Sequence, residues 1–321
     1  MTLRLRFNGL DHAFLSEFGC TCGRCTSAVR RANTSVSLLE LSEGNQDVKQ
    51  HILFDVGMGV TDSLVTSPLP SSATRLDGMV VSHWHPDHAI EMNRLCESWL
   101  RSRQRRQEEP GKVRIWCRQG TANWLERLYP YEWNHLLAPV VLPGDYPPGT
   151  VLGAIDVGVS DVEVTPISVS HDTADFDAVS RQRLQCSAGF VLHHARTKAV
   201  LLWDIDNTND WILHPQGDEK RAVELCSKAD YLIADCNTWK TEEAGGRSTG
   251  HTSFSTLLGY AQALEPRVTY LVHLSGHEDG PGNPGWGWDD GTWARMSQAA
   301  WKEAGAPGIV LVPHIGLTVE L

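Results

Sequence analysis

The stretch Val80-Val-Ser-His83-Trp-His85-Pro-Asp87-His88 places four metal-binding side chains within six residues, directly after an apolar run. Imidazole and carboxylate are good ligands for divalent first-row ions. On a loop leaving a strand, alternate side chains can converge on one point. His83 and His85 then face one ion. Asp87 and His88, beyond the turn that Pro86 helps to set, face a second. A loop rich in histidine by chance would explain any one of these residues better than all four in this order. Two ions about 3.5–4 Å apart can bind a bridging water and lower its pKa, giving hydroxide near neutral pH. They can also offset charge developing on a phosphoryl or carboxyl oxygen. No serine or cysteine nucleophile is needed.

A second cluster lies nearer the N-terminus. Cys20, Cys22 and Cys25 form a C-x-C-x-x-C pattern in Phe18-Gly-Cys20-Thr-Cys22-Gly-Arg-Cys25. Three thiolates so close suit zinc, which takes four ligands in structural sites. A glycine-containing loop with free thiols is the plainer reading. The other five cysteines, Cys96, Cys117, Cys186, Cys226 and Cys236, are scattered through apolar segments and are expected as buried thiols.

Positioning these residues requires strands that end beside them. Apolar or alternating runs predict strands at 3–8, 35–41, 51–55, 77–82, 162–169, 187–193, 199–203, 231–235, 268–272, 309–312 and 316–320. Helical periodicity predicts helices at 89–105, 120–128, 219–228, 253–264 and 291–304. Strands at both ends of the chain with helices between them suggest a sheet sandwich covered by helices. Residues 139–160 are rich in Pro and Gly and read as a loop. Residues 276–291 read as irregular throughout. Strand patterns continue on both sides of each, so one domain over 1–321 is expected, with insertions near 89–110, 139–160 and 276–291.

The order H-x-H-x-D-H over His83–His88 resembles the signature of the metallo-β-lactamase superfamily. The resemblance implies an α+β fold, a four-layer αββα sandwich, and more ligands at later strand ends. His171 then matches the third histidine of the first metal. Asp204 matches the carboxylate that bridges both ions, and His273 the last histidine of the second. Asp55 resembles an aspartate beside the site that orients a ligand imidazole. The cysteine cluster with this motif is similar to the PhnP-like phosphodiesterase and PqqB-like branch. In that pattern His277 completes the cysteine site, although its spacing from His273 is one residue longer than expected. His251, in Gly250-His251-Thr-Ser, matches a histidine that protonates the leaving oxygen or steadies the phosphate. The resemblance therefore implies His251 and Asp87 as catalytic residues. It implies two divalent active-site ions (Zn, Mn or Fe) and one structural Zn.

The chain has 321 residues, 41% of them hydrophobic and 21% charged, ordinary values for a sizeable apolar core. The net charge of −11 argues against a nucleic-acid substrate, since a backbone-tracking binder carries a basic surface. The run Arg101–Arg106 reads as a solvated helix face. No apolar run reaches the roughly 18–20 residues that span a bilayer, and no secretory signal is seen. A cytoplasmic location without a membrane is the expectation, and a homodimer is compatible with it. Among twelve tryptophans, Trp84 lies inside the ligand loop, while Trp239, Trp286 and Trp288 sit in apparent loops nearby. Trp84, Trp286, Trp288 and Arg247 are candidates for a substrate pocket, the last for binding an anion. The expected partner is a small anionic molecule, a phosphodiester or cyclic phosphate. An ester, thioester or lactone is the alternative. Iron-dependent redox chemistry and a non-hydrolytic PqqB-like role also fit the ligand pattern.

Overall fold

The computed structural model describes residues 2–321 apart from 30, 43, 45–46, 68–74, 110, 143 and 241–249. In chain order the first half contains β1 (Thr2–Gly9), β2 (Ser35–Leu41), β3 (Val48–Phe54), α1 (Val60–Val65) and β4 (Gly78–Val80). It continues with α2 (Pro86–Ala89), α3 (Met92–Arg105), β5 (Val113–Arg118), α4 (Gln119–Leu128), α5 (Pro130–His135) and β6 (Leu137–Leu142). The second half contains β7 (Val162–Ser168), β8 (Ala188–His194), β9 (Thr197–Leu202), α6 (Glu219–Cys226), β10 (Tyr231–Asp235) and α7 (Phe254–Leu264). It closes with β11 (Val268–Val272), α8 (Asp290–Glu303), β12 (Ile309–Leu311) and β13 (Thr318–Glu320).

The strands form two sheets, ordered β13-β1-β2-β3-β4-β5-β6 and β12-β11-β10-β9-β8-β7. Alternation along a strand sends successive side chains to opposite faces. In β3, Ile52 and Phe54 enter the core between the sheets, and Leu53 faces outward. In β9, Ala199 and Leu201 face inward, and Val200 and Leu202 outward. Both faces are buried, which is why these strands read as continuous apolar runs. Aromatic pairs tie the sheets together: the rings of Phe54 and Phe190 are 5.5 Å apart, and those of Phe7 and Tyr270 5.0 Å. Met92 and Leu95 of α3 and Leu125 of α4 cover the outer face of the first sheet. Ala222 of α6, Leu257 of α7 and Trp301 of α8 cover that of the second. The layers run helix, sheet, sheet, helix, as expected for the metallo-β-lactamase fold.

Strand direction gathers the site. Strands β3 to β6 are mutually parallel. In the other sheet β7 and β9 both run against β8, while β9, β10, β11 and β12 are parallel. The C-terminal ends of β7, β9, β10 and β11 therefore share one edge, where ligands gather in parallel sheets.

Several expectations are corrected. Strands β5 and β6 were not anticipated, and the start of the 139–160 loop belongs to β6. Pro139 reads as a breaker, but β6 is the outermost strand, where a missing N–H costs no ladder bond. Later in that segment Val151 and Ile155 bridge to Ile167 and Val164, covering the β7 edge. The 276–291 segment holds a 3-10 turn at His277–Asp279, and α8 begins at Asp290. The short helix α1 was also missed. No helix among the described residues is long and apolar enough to cross a membrane.

Candidate metal centre

The four-residue motif sits on the turn from β4 into α2. His85 precedes Pro86, the first residue of that helix, where a proline sacrifices no helical hydrogen bond. Gly57 lets the loop after β3 approach this turn. A Cβ there would stand 1.7 Å from the Asp87 carbonyl oxygen. Glu91 then clamps the turn to α1, accepting from the backbone N–H groups of Gly59 (3.0 Å) and Thr61 (2.7 Å). Asp55, Asp204 and His273 follow β3, β9 and β11 with φ of 59°, 52° and 59°. This left-handed backbone is unfavourable for non-glycine residues and turns each side chain off its strand direction.

His83, His85 and His171 converge, and so do Asp87, His88, Asp204 and His273; within each group the ligand atoms lie within 4.8 Å of one another. Asp204 joins the groups. Its Oδ2 is 3.1 Å from His88 Nε2, 3.7 Å from His83 Nε2 and 3.9 Å from His171 Nε2. Its Oδ1 is 3.3 Å from His273 Nε2. Asp87 Oδ2 stands 3.1 Å from His88 Nε2 and 3.2 Å from His273 Nε2.

The far nitrogens decide what these contacts mean. His88 Nδ1–H donates to Asp55 Oδ2 (2.8 Å), and His171 Nδ1–H to the Gly250 carbonyl (2.5 Å). His83 Nδ1 lies 3.1 Å from Ser82 Oγ, whose own proton goes to Asp55. His85 Nε2 lies 3.3 Å from the Thr173 carbonyl. In the tautomers so assigned, each inward nitrogen carries a lone pair aimed at carboxylate oxygen or at another ring. Acceptors facing acceptors need a cation between them. His83 Nε2, His88 Nε2 and both Asp204 oxygens are buried without a hydrogen-bond partner, so the donor set fits metal ions. Burial, reinforced by neighbouring imidazoles, holds His83 and His171 well below the usual histidine range. Burial opposes charge on His88, Asp87 and Asp204, but their mutual attraction outweighs it, holding His88 well above the usual histidine range and both carboxylates well below theirs; this is the positive charge that bound cations would supply.

A family model described as a β-lactamase superfamily domain matches residues 50–274. The chain belongs to this superfamily. No curated protein matches it by sequence. Solved structures of similar fold include a diphosphatase from the PhnP family, 17% identical with a TM-score of 0.65, covering 100% of this chain and 98% of that one. PqqB from Methylobacterium extorquens, in a Zn2+-bound form, is 13% identical with a TM-score of 0.68, covering 99% and 100%. The short form of human tRNase Z is 16% identical with a TM-score of 0.59, covering 98% of each chain. At these identities the likeness is one of fold.

This superfamily member carries a further imidazole, His251, which with Asp204, Asp235 and His273 forms another set of potential ligands next to the two groups above. His251 stacks on His273 with ring centroids 4.5 Å apart, and its Nδ1 meets Asp235 Oδ2 at 3.0 Å. Burial works against a charged His251, but Asp235 reverses this and raises it to about 9. Asp235 escaped sequence reasoning, although it ends the apolar run Tyr231–Ala234 much as Asp204 follows Ala199–Trp203. Ser82 and Trp203 were also missed. With His88 they surround Asp55, whose carboxylate accepts from Ser82 N (2.8 Å), Ser82 Oγ (2.6 Å), His88 Nδ1 (2.8 Å) and Trp203 Nε1 (2.7 Å).

The cysteine cluster is assembled as expected. His277 Nε2 stands 3.7, 3.5 and 3.3 Å from the Sγ atoms of Cys20, Cys22 and Cys25. Ser275 Oγ (3.1 Å) and Glu17 Oε1 (3.3 Å) flank its Nδ1. Gly276, at φ 73°, takes up the extra residue; a Cβ there would strike the Gly285 carbonyl at 2.1 Å. Burial opposes the Cys22 thiolate, but the Cys25 N–H and His277 outweigh it and lower the thiol to about 7. Arg24, 1% exposed between two of the cysteines, pairs with Asp11 and Asp290 and pins the loop to α8. The other five cysteines are buried and free, as expected.

The tryptophans divide. Trp84 packs edge-on to His85 at 4.7 Å and stacks on Trp124 at 4.0 Å, so it walls the metal cluster. Trp286 stands against His277, 5.3 Å away, and Trp288 packs on Trp239 and Trp293. Neither Trp286 nor Trp288, both expected as substrate-pocket residues, packs against an imidazole of the two active-site groups as Trp84 does. Trp286 serves the cysteine cluster, and Trp288 joins the apolar layer beneath α8. Arg247 lies outside the described residues. Asp55→Asn should lower stability by about 3 kcal/mol, because an amide cannot accept from all four buried donors. Urea unfolding measures this, and an unchanged midpoint would refute the role given to Asp55.

Proposed function

We propose that the chain is a dinuclear metal-dependent hydrolase of a small phosphodiester or cyclic phosphate. The observation that carries this reading is the pairing of the unsatisfied ligand cluster with the Asp235–His251 dyad beside it. His83, His85 and His171 would hold one divalent ion, and Asp87, His88 and His273 the other, with Asp204 shared. Such ions, when bound, acidify water and neutralise charge on a phosphoryl or carbonyl oxygen.

The protein's own groups do the rest. Asp55, Gly250 and Thr173 fix the outer nitrogens of the ligand rings and so preset the metal spacing. Asp235 orients His251 through Nδ1 and favours its protonated form, leaving Nε2–H to protonate the departing oxygen. A departing alkoxide is strongly basic and needs that proton. A thiolate, with a thiol pKa near 8.5, needs it far less. The dyad therefore favours an oxygen leaving group over a thioester. The full-length likeness in fold to a PhnP-family diphosphatase favours phosphorus over carbon as the centre attacked. Cys20, Cys22, Cys25 and His277 would hold a structural zinc, the soft thiolate set that this ion prefers.

Bis(p-nitrophenyl) phosphate should be turned over by protein loaded with zinc or manganese, and p-nitrophenyl acetate should not be preferred to it. Turnover of the acetate alone would replace the phosphodiester by a carboxylic ester. Iron in the active protein with oxygen consumption would replace hydrolysis by redox chemistry. Asp204→Ala should lower divalent metal content, read by elemental analysis, and reduce turnover on the order of a thousandfold.

In a pH profile the rate should hold while His251 is protonated and fall as pH rises through its pKa, which Asp235 raises. Asp235→Asn removes the group that raises His251 and should move that alkaline limb to lower pH. A limb that stays in place would assign the proton to another group. Cys22→Ser should lower the melting temperature and the zinc content, because a structural zinc contributes folding energy. If both stay unchanged, the cysteine cluster holds no zinc.

A further inference from the structure

A cavity of ≈ 300 Å³ opens on the outer face of the first sheet, between α1, α3 and strands β1 to β3. None of its lining residues belongs to the metal groups or the cysteine cluster. Leu39 of β2 supplies part of the floor, and Leu64 of α1 with Leu95 and Trp99 of α3 supply walls. The volume and apolar lining are those of a site for a small organic molecule.

Its charge is one-sided. Arg6, Arg75 and Arg105 line the cavity, and no Asp or Glu does among the described residues, in a chain of net charge −11. Arg6 is 4% exposed, and its guanidinium is engaged inside the protein, donating to Asn8 Oδ1, Ser63 Oγ (3.3 Å) and the Ser63 carbonyl (3.1 Å). Asp77 holds Arg75 through Nε, and Arg105 closes the last turn of α3. His51 adds no charge. Burial lowers it to about 4, and both its nitrogens are engaged, Nδ1 with the Arg75 carbonyl (2.6 Å) and Nε2 with Ser37 Oγ (2.8 Å). It pins the Arg75 backbone at the rim.

Two lining donors also lack partners. Thr61 Oγ1 and Trp99 Nε1 are buried without a hydrogen bond, and their residues are 4% and 7% exposed. Such groups cost free energy until an acceptor reaches them. A molecule suited to these walls has an apolar body and one negative charge.

We propose that this cavity is a second ligand site, selective for an amphipathic anion. The ligand carries one carboxylate or phosphate head on an aliphatic or aromatic body of on the order of ten non-hydrogen atoms. Arg105 and the outer nitrogens of Arg75 take the head, Arg6 adds positive charge from beneath, and Leu39, Leu64 and Trp99 enclose the body. The site is independent of the chemistry at the metal centre.

Calorimetric titration of the metal-loaded protein with decanoate, decyl phosphate and decanol tests this. At least one of the two anions should bind, at one per chain and at least about tenfold more tightly than neutral decanol. The tighter of the two identifies the head group. Arg105→Glu should weaken anion binding about tenfold and leave decanol unaffected. Ser98→Trp, which fills the cavity from α3, should abolish binding of all three while circular dichroism stays unchanged. No binding of either anion at about 1 mM, or decanol binding as tightly as the anions, overturns the proposal. So does anion binding that survives both substitutions, which would place the ligand elsewhere, including at the metals.

Discussion

The structure turns on a buried point where lone pairs meet lone pairs. Asp204 stands within 4 Å of four imidazole nitrogens, and the outer hydrogen bonds assign the proton of most of these rings to the opposite nitrogen. Such an arrangement needs positive charge at its centre, from a proton on His88 or from bound cations. With cations it becomes a preset coordination shell. The surrounding groups serve that shell. Asp55 is held by Ser82 and Trp203 so that it can accept from His88, and the Gly250 carbonyl is placed to accept from His171 Nδ1–H.

Such a cluster imposes strain, and the fold is built to bear it. Three residues at strand ends adopt left-handed backbone, and several charged groups lie out of water. The compensation comes from three apolar layers, one between the sheets and one under each set of helices. Rigid parallel strands deliver the side chains, and short turns carry them. Precision of this kind depends on supporting contacts as much as on the ligands themselves.

The two candidate metal-binding clusters differ in chemistry but share a segment. His273 and His277 lie four residues apart after β11, one facing carboxylates and imidazoles, the other facing thiols. Asp11 links them further. It bridges to Leu274 beside His273 and pairs with Arg24 within the cysteine loop. The cysteine cluster therefore braces the loop from which the last active-site imidazole projects. Soft and harder donor sets kept this close allow different ions to be sorted by ligand type.

Much of this could be read from residue order. His83 to His88 and Cys20 to Cys25 declare themselves because their ligands are close in sequence, and apolar runs mark the strands that end at His171, Asp204 and His273. Asp235 carried the same strand-end signal, but a lone carboxylate after an apolar run has many explanations until His251 is found against it. Strand β6 was hidden because an edge strand tolerates proline and needs no two-sided apolar pattern, and β5 because Arg114 and Arg118 interrupt its apolar run. Only the folded chain decided that Trp286 packs beside the cysteines while Trp84 packs on the imidazole cluster, since ring packing depends on approach across long sequence distances. The same holds for the arginine-lined cavity. Arg6, Arg75 and Arg105 are far apart in the chain, and one-dimensional spacing records nothing of the sheet face that brings them together.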